Sequence, residues 1–220
     1  MAKESKTAKK QRAAAIVEAL KERYPDAECA LQYEGEPWRL LVMGRLSAQC
    51  TDARVNIVCR ELFARFPTPR ALAEGQPEVI EDIVRPCGLY RTKAANIKGA
   101  CTRLVEVYGG VLPDDMDELL TFPGVGRKIA NLLLGDIYHR PAIVADTHCI
   151  RISERLGLTP RGCKDPVKTE KALIPLIAPE EQSDFCHRIV WFGREVCTAR
   201  SPKCDTCPLG ALCPSNQKRA

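Results

Sequence analysis

Three groups of residues in this 220-residue chain are spaced to do chemistry. The first is Cys197, Cys204, Cys207 and Cys213, a C-x6-C-x2-C-x5-C run in a segment poor in apolar bulk. So short a segment cannot bury a core of its own and needs a cross-link or a metal to hold one shape. Four converging thiolates suit zinc or a 4Fe-4S cluster. Zinc sites usually pair two C-x2-C knuckles, and one is present here, so the uneven spacing favours the iron-sulfur cluster. A disulfide arrangement is the weaker alternative in a reducing compartment. Arg200 and Lys203 fall between the first two cysteines, where a fixed loop would make them a small basic finger able to touch phosphate.

The second group is the stretch LLTFPGVGRK at 119–128, followed by the apolar run IANLLLGDIY. Pro123 sets one turn dihedral, while Gly124 and Gly126 permit positive φ and keep side chains away from a ligand. The backbone amides of such a hairpin, with the helix N-terminus after it, can cradle a phosphate without regard to sequence. A plain turn between two helices is the bland alternative. Lys128 adds weight to the first reading, because an amine on the first helical turn beside a phosphate can reach the sugar of a bound nucleotide. The third group centres on Asp146 in VADTHCIRIS. It reads as an N-cap for a helix carrying Cys149, Ile152 and Leu156. A cap also keeps a carboxylate ionised and aimed, as a group assisting Lys128 would have to be.

Helices must position these groups. Ile16, Val17 and Leu20 give residues 11–24 a helical period that ends before Pro25. Helix-sized segments follow at 38–49, 51–66, 77–84, 93–108, 115–120, 128–138, 147–156, 166–177 and 181–194, separated by Pro and Gly clusters such as the one at 66–69. No run alternates apolar with polar residues. The expected class is all-α, without a fixed repeat.

Composition narrows the function classes. Hydrophobic residues are 45%, charged 28% and aromatic 5%, which excludes wholesale disorder and makes aromatic stacking platforms an unpromising route to nucleic acid. The longest uncharged stretch, 206–217, is far short of the ~18 residues of a membrane span, so a soluble protein with no membrane partner is expected. Net charge is +5, concentrated at the ends: Lys3, Lys6, Lys9, Lys10 and Arg12 oppose only Glu4, and Lys218 and Arg219 close the chain. A basic tail of this kind suits a polyanion or a solvated terminus equally well. Twelve cysteines with no apolar leader imply free thiols in a reducing, cytoplasmic compartment, nucleoid-associated if the source is bacterial. Eight of them are scattered and read as small core residues.

Taken together, LSAQCTD at 46–52, GLYRTKAANI at 88–97, FPGVGRK at 122–128, ADTH at 145–148, FGREVC at 192–197 and the cysteine run resemble the endonuclease III family of helix-hairpin-helix DNA glycosylases. The resemblance spans about residues 20–213, and the motifs in this order are specific. It implies a six-helix domain at 28–138. A second domain would combine residues 1–27, a basic tail and helix, with 139–220 and its 4Fe-4S loop, leaving a DNA-binding cleft between the two. It also implies a bifunctional glycosylase and AP lyase acting as a monomer on double-stranded DNA with damaged bases or abasic sites, chiefly oxidised pyrimidines. Lys128 would be the nucleophile and Asp146 its partner, with the four cysteines as cluster ligands. Gln49 would fill the gap left by an extruded base, Leu89 would wedge the opposite strand, and Gly124, Gly126 and Arg127 would hold the backbone. Without the resemblance, Gln49 reads as a surface helix end and Leu89 as a core leucine.

Four positions depart from the family pattern: Arg45 in place of an apolar residue, Phe122 of a leucine, Ile129 of a threonine, and Cys149 of an aliphatic or aromatic residue. Two rival readings stand beside this one. A monofunctional adenine or mismatch glycosylase would lack Lys128 and carry an acid in the helix before the SAQ motif, where residues 38–48 have none. A non-catalytic DNA-binding module would use the hairpin and basic ends equally well.

Overall fold

The computed structural model describes residues 4–217. Among them the regular structure is helical throughout. The chain divides into two compact units, one formed by the N-terminal residues to Glu28 with His139 onward, the other by Cys29–Tyr138. Among the described residues no helix is long and apolar enough to cross a membrane.

Helix α1 (Lys6–Arg23) opens the first unit. It begins five residues before the apolar period does, because the hydroxyl of Ser5 caps it by accepting from the Ala8 amide. The expected basic tail is therefore largely helix, and Lys3, Lys218 and Arg219 lie outside the described residues. Arg12 is no free cation either: it pairs with Glu4 and donates to the carbonyls of Leu156 and Leu212. Ala13, Ile16 and Leu20 are buried where α1 meets the last long helix of this unit.

The second unit holds α2 (Pro37–Leu46), α3 (Asp52–Arg65), α4 (Pro69–Glu74), α5 (Pro77–Val84), α6 (Tyr90–Tyr108), α7 (Met116–Leu120) and α8 (Arg127–Asp136). That is seven α-helical segments where six are implied by the resemblance. The unforeseen one is α4: the proline cluster at 66–69 reads as a breaker, yet Pro69 occupies the first helical turn and Thr68 caps it through the Ala71 amide, both compatible with a helix start. α6 packs against α2, α4 and α5, and α2 also packs against α8. α2 is buried on nearly every side, from Trp38 through Leu46, as expected for a helix apolar all round. Each such leucine contributes about 1.5–3 kcal/mol.

The first unit resumes with α9 (Thr147–Arg155), α10 (Pro166–Leu173), α11 (Gln182–Glu195) and the short α12 (Pro214–Gln217). Gly193 of α11 lets α9 approach so closely that a methyl group there would fall 2.8 Å from Ile152. A three-way ion pair joins α1 to the start of α11, with Lys21 and Arg188 both on Glu181.

Candidate functional site

The hairpin is built from two inward-facing residues and three outward-facing ones. Phe122 and Val125 are buried, while Pro123, Gly124 and Gly126 face solvent. Phe122 stacks on Tyr108, centroids 5.3 Å apart, and Arg103 lies over both rings while bonding Thr121. An aromatic residue at this departure from the family pattern thus anchors the hairpin base to the end of α6. Gly124 has φ +75°, and a methyl group on it would fall 2.5 Å from Arg45 Nε and 2.7 Å from Asn96 Nδ2. Arg45 therefore braces the hairpin from beneath, with its Nε buried and without an acceptor. Ile129 seats α8 on Gly44 of α2. Among the described residues the amide hydrogens of Gly124 and Gly126 meet no acceptor. They flank the start of α8, where unpaired N–H groups and the helix dipole favour an anion. Arg127 and Lys128 occupy the first turn of α8, and Lys128 is exposed.

Gln49 and Leu89 share an unusual backbone. Their φ angles are +53° and +48°, in a region that side-chain-bearing residues enter at a cost of about 1–2 kcal/mol. Both side chains are exposed, Leu89 at 62%, which corrects its motif-free reading as core. α2 stops at Leu46 instead of running to Gln49, because Ser47 turns its hydroxyl back to the Gly44 carbonyl and Cys50 closes a turn on Ser47. Between the two loops lies Lys93, fully buried. Its ammonium donates to the carbonyls of Leu46, Ala48 and Cys87 at 2.9, 2.7 and 2.8 Å. Burial pulls its pKa down, and the same burial pushes the neighbouring Cys87 thiol up to about 11.

In the other unit, Asp146 is the N-cap of α9 and accepts from the Cys149 amide at 2.7 Å. Cys149 is buried behind it, so this departure reflects a small core site. Lys128 and Asp146 thus belong to different units.

The four C-terminal cysteines form no disulfide and line one cavity of about 190 Å³. They stand around it; among the described residues no trio of His, Cys, Asp or Glu closes to the spacing of one metal ion. Burial raises the Cys207 thiol, and the other three sulfurs push the same way. Four thiolates so arranged repel one another until a cationic group sits among them, which is the fit a cluster needs. Two arginines that sequence reasoning missed hold the loop to α9. Arg155 donates to Cys197 Sγ at 3.3 Å and to the carbonyls of Thr198 and Ala199, and Arg151 donates to the Cys197 carbonyl. Their i, i+4 spacing on α9 is the only trace in the sequence. Arg200 and Lys203 are exposed on the loop that these contacts fix.

Two helices joined by an anion-ready hairpin, in an all-α chain that carries a four-thiol loop, give the architecture of a helix-hairpin-helix protein. Residues 42–179 match the HhH-GPD superfamily base excision DNA repair proteins, and 197–213 match the iron-sulfur binding domain of endonuclease III. Among curated relatives, the endonuclease III of Synechocystis sp. is 47% identical over 95% of this chain and 94% of its own length. That of Bacillus subtilis is 42% identical over 89% of each. A solved structure of a trapped endonuclease III–DNA covalent intermediate superposes with TM-score 0.89 at 42% identity, covering 96% of this chain and 98% of that one. A thermostable thymine-DNA glycosylase shares the fold, with TM-score 0.83 at 19% identity.

The chain belongs to the endonuclease III family. It is accordingly a DNA glycosylase and AP lyase of base-excision repair that carries a 4Fe-4S cluster.

Proposed function

We propose that Lys128 is the nucleophile of this enzyme, that Asp146 is its proton acceptor, and that the preferred lesions are oxidised pyrimidines in duplex DNA, handled by a monomer in the cytoplasm. The observation that carries the reading is the placement of Lys128: an exposed amine on the first turn of α8, next to amides with no acceptor. A phosphate held by Gly124, Gly126 and Arg127 would bring the adjoining sugar within reach of that amine. The uncharged amine attacks C1′ and forms a C–N bond as the glycosidic bond breaks, the base leaving with the electron pair. Ring opening gives a Schiff base. Loss of a proton from C2′ then breaks the C3′–O bond by β-elimination.

Asp146 is suited to take the amine's proton and to face the cationic sugar, since its cap bond to Cys149 fixes its direction. Base extrusion costs a few kcal/mol of stacking; Gln49 and Leu89, both exposed on left-handed turns, are the groups that would occupy the vacated space and the opposite strand. Arg200 and Lys203 would add phosphate contacts. The four cysteines hold the cluster, whose contribution is to cross-link a loop that has no core. Borohydride reduction of the Schiff base tests the whole reading: the natural chain should be trapped on DNA containing an oxidised pyrimidine, and Lys128→Gln should not. Full trapping by that variant would place the nucleophile elsewhere.

A further inference from the structure

We propose that Lys93 is a positioning residue that locks the Gln49 and Leu89 loops into one rigid wedge, so that the two side chains enter the duplex together. The inference rests on the reading of Gln49 and Leu89 as the residues that replace an extruded base. Sequence separates the loops by some forty positions, and no direct bond between Gln49 and Leu89 joins them. What joins them is one ammonium group. Its three hydrogens are all spent: on Leu46 and Ala48, which lead into Gln49, and on Cys87, which leads into Leu89. The backbone amide of Lys93 also donates to the Leu89 carbonyl at 3.0 Å, so that this single residue fixes both flanks of Leu89.

A buried cation with no carboxylate beside it is costly unless every donor is satisfied. Here Ala48 directly precedes Gln49 and Cys87 precedes Gly88 and Leu89, all three with positive φ, where strained backbone needs surroundings that over-determine it. Cys50 and Cys87 flank the amine and Arg45 lies near it; none of these is an acidic residue that would explain the lysine as an ion-pair partner. An apolar residue would fill the space, but only a side chain with several donor hydrogens can bond two loops at once, and the ammonium has one for each of the three carbonyls. The consequence is mechanical. With the loops tied, strain at Gln49 cannot relax without disturbing Leu89, and the two act on the two strands as a unit.

The test uses the full-length protein with its cluster. Lys93→Met keeps the length and removes the donors. Single-turnover excision of an oxidised pyrimidine is measured in a fully paired duplex, where extrusion is needed, and nicking is measured at an abasic site in single-stranded DNA, where it is not. The expected result is a loss of tenfold or more on the paired lesion with single-strand nicking within twofold of the natural chain. An equal loss on both substrates, or none on either, overturns the proposal. Gln49→Ala and Leu89→Ala separate it from the reading beneath it: if neither slows paired-lesion excision, the gap-filling reading fails, whereas losses there with an unaffected Lys93→Met defeat only the lysine. Should Lys93→Met not fold, the double variant Gln49→Ala/Leu89→Ala decides. A combined loss no greater than the larger single loss supports one wedge, and multiplied losses overturn it.

Discussion

Asp146 caps α9, and one substitution can separate that duty from the proton transfer proposed for it. Asparagine caps a helix about as well as aspartate does, so Asp146→Asn should preserve the bond to the Cys149 amide and leave the melting temperature nearly unchanged. It cannot take a proton from an amine, and loss of general-base assistance typically costs about 10²–10⁴-fold. Excision by Asp146→Asn should therefore fall at least a hundredfold while its thermal melt overlays that of the natural chain; a matching fall in stability would mean that the cap, and not the proton, explains the residue. Gly124 makes the complementary case, in which conformation and space are the chemistry. Alanine there must adopt φ +75° and displace Arg45 and Asn96. The backbone cost is about 1–2 kcal/mol, and the hairpin is the element that yields. Gly124→Ala should weaken duplex binding about tenfold, equivalent to ~1.4 kcal/mol, as read by titration of an uncleavable duplex.

At the scale of elements, polar fasteners between helices set the response to pH. The carboxyl of Glu181 is held below its ordinary value, first by its hydrogen bond to Lys21 of α1 and then by Arg188 of α11. A depressed carboxyl contributes stability above its unfolded pKa, about 4.3, and that contribution is lost as pH falls through the folded value. Melting temperature should drop as the solution is acidified below about pH 4.5. Glu181→Gln should start lower at pH 7 and fall less steeply, and an unchanged acid slope would remove the triad from the account. This triad, like the Lys93 tie, was invisible in the sequence because its partners are far apart along the chain. The helices themselves were legible wherever apolar period and a start signal agreed, Pro77 for α5 and the Asp146 cap for α9. Their ends were not: α2 stops early through a serine side chain and a left-handed Gln49, and α4 starts on prolines that resemble a break. Within the site, the hairpin and the four cysteines were legible because each is contiguous. Arg151 and Arg155 were missed because what they hold lies more than forty residues downstream.

For the whole molecule, the decisive contrast is between a unit that closes on its own apolar core and one whose last segment cannot. Cys29–Tyr138 is continuous in sequence and buries α2, α6 and α8 among their neighbours. The other unit joins both ends of the chain, and its final loop is fastened to α9 by Arg155 and Arg151 and to α1 by Arg12 through Leu212. Leu209 is that loop's one fully buried apolar anchor, about 1.5–3 kcal/mol by area, too little to order seventeen residues that each cost roughly 1–2 kcal/mol in backbone entropy. Ligation of the cluster must supply the difference, since metal-binding free energy is folding free energy where the site does not pre-exist. Stripping iron with a chelator after oxidation, followed by hydrogen exchange read peptide by peptide, should expose the amides of 197–213 and then those of α9 that the loop covers. The amides of α2, α6 and α8 should keep their protection. If the 197–213 amides exchange no faster without iron, protein contacts alone order the loop, and the arginines of α9 hold the segment without the cluster's help.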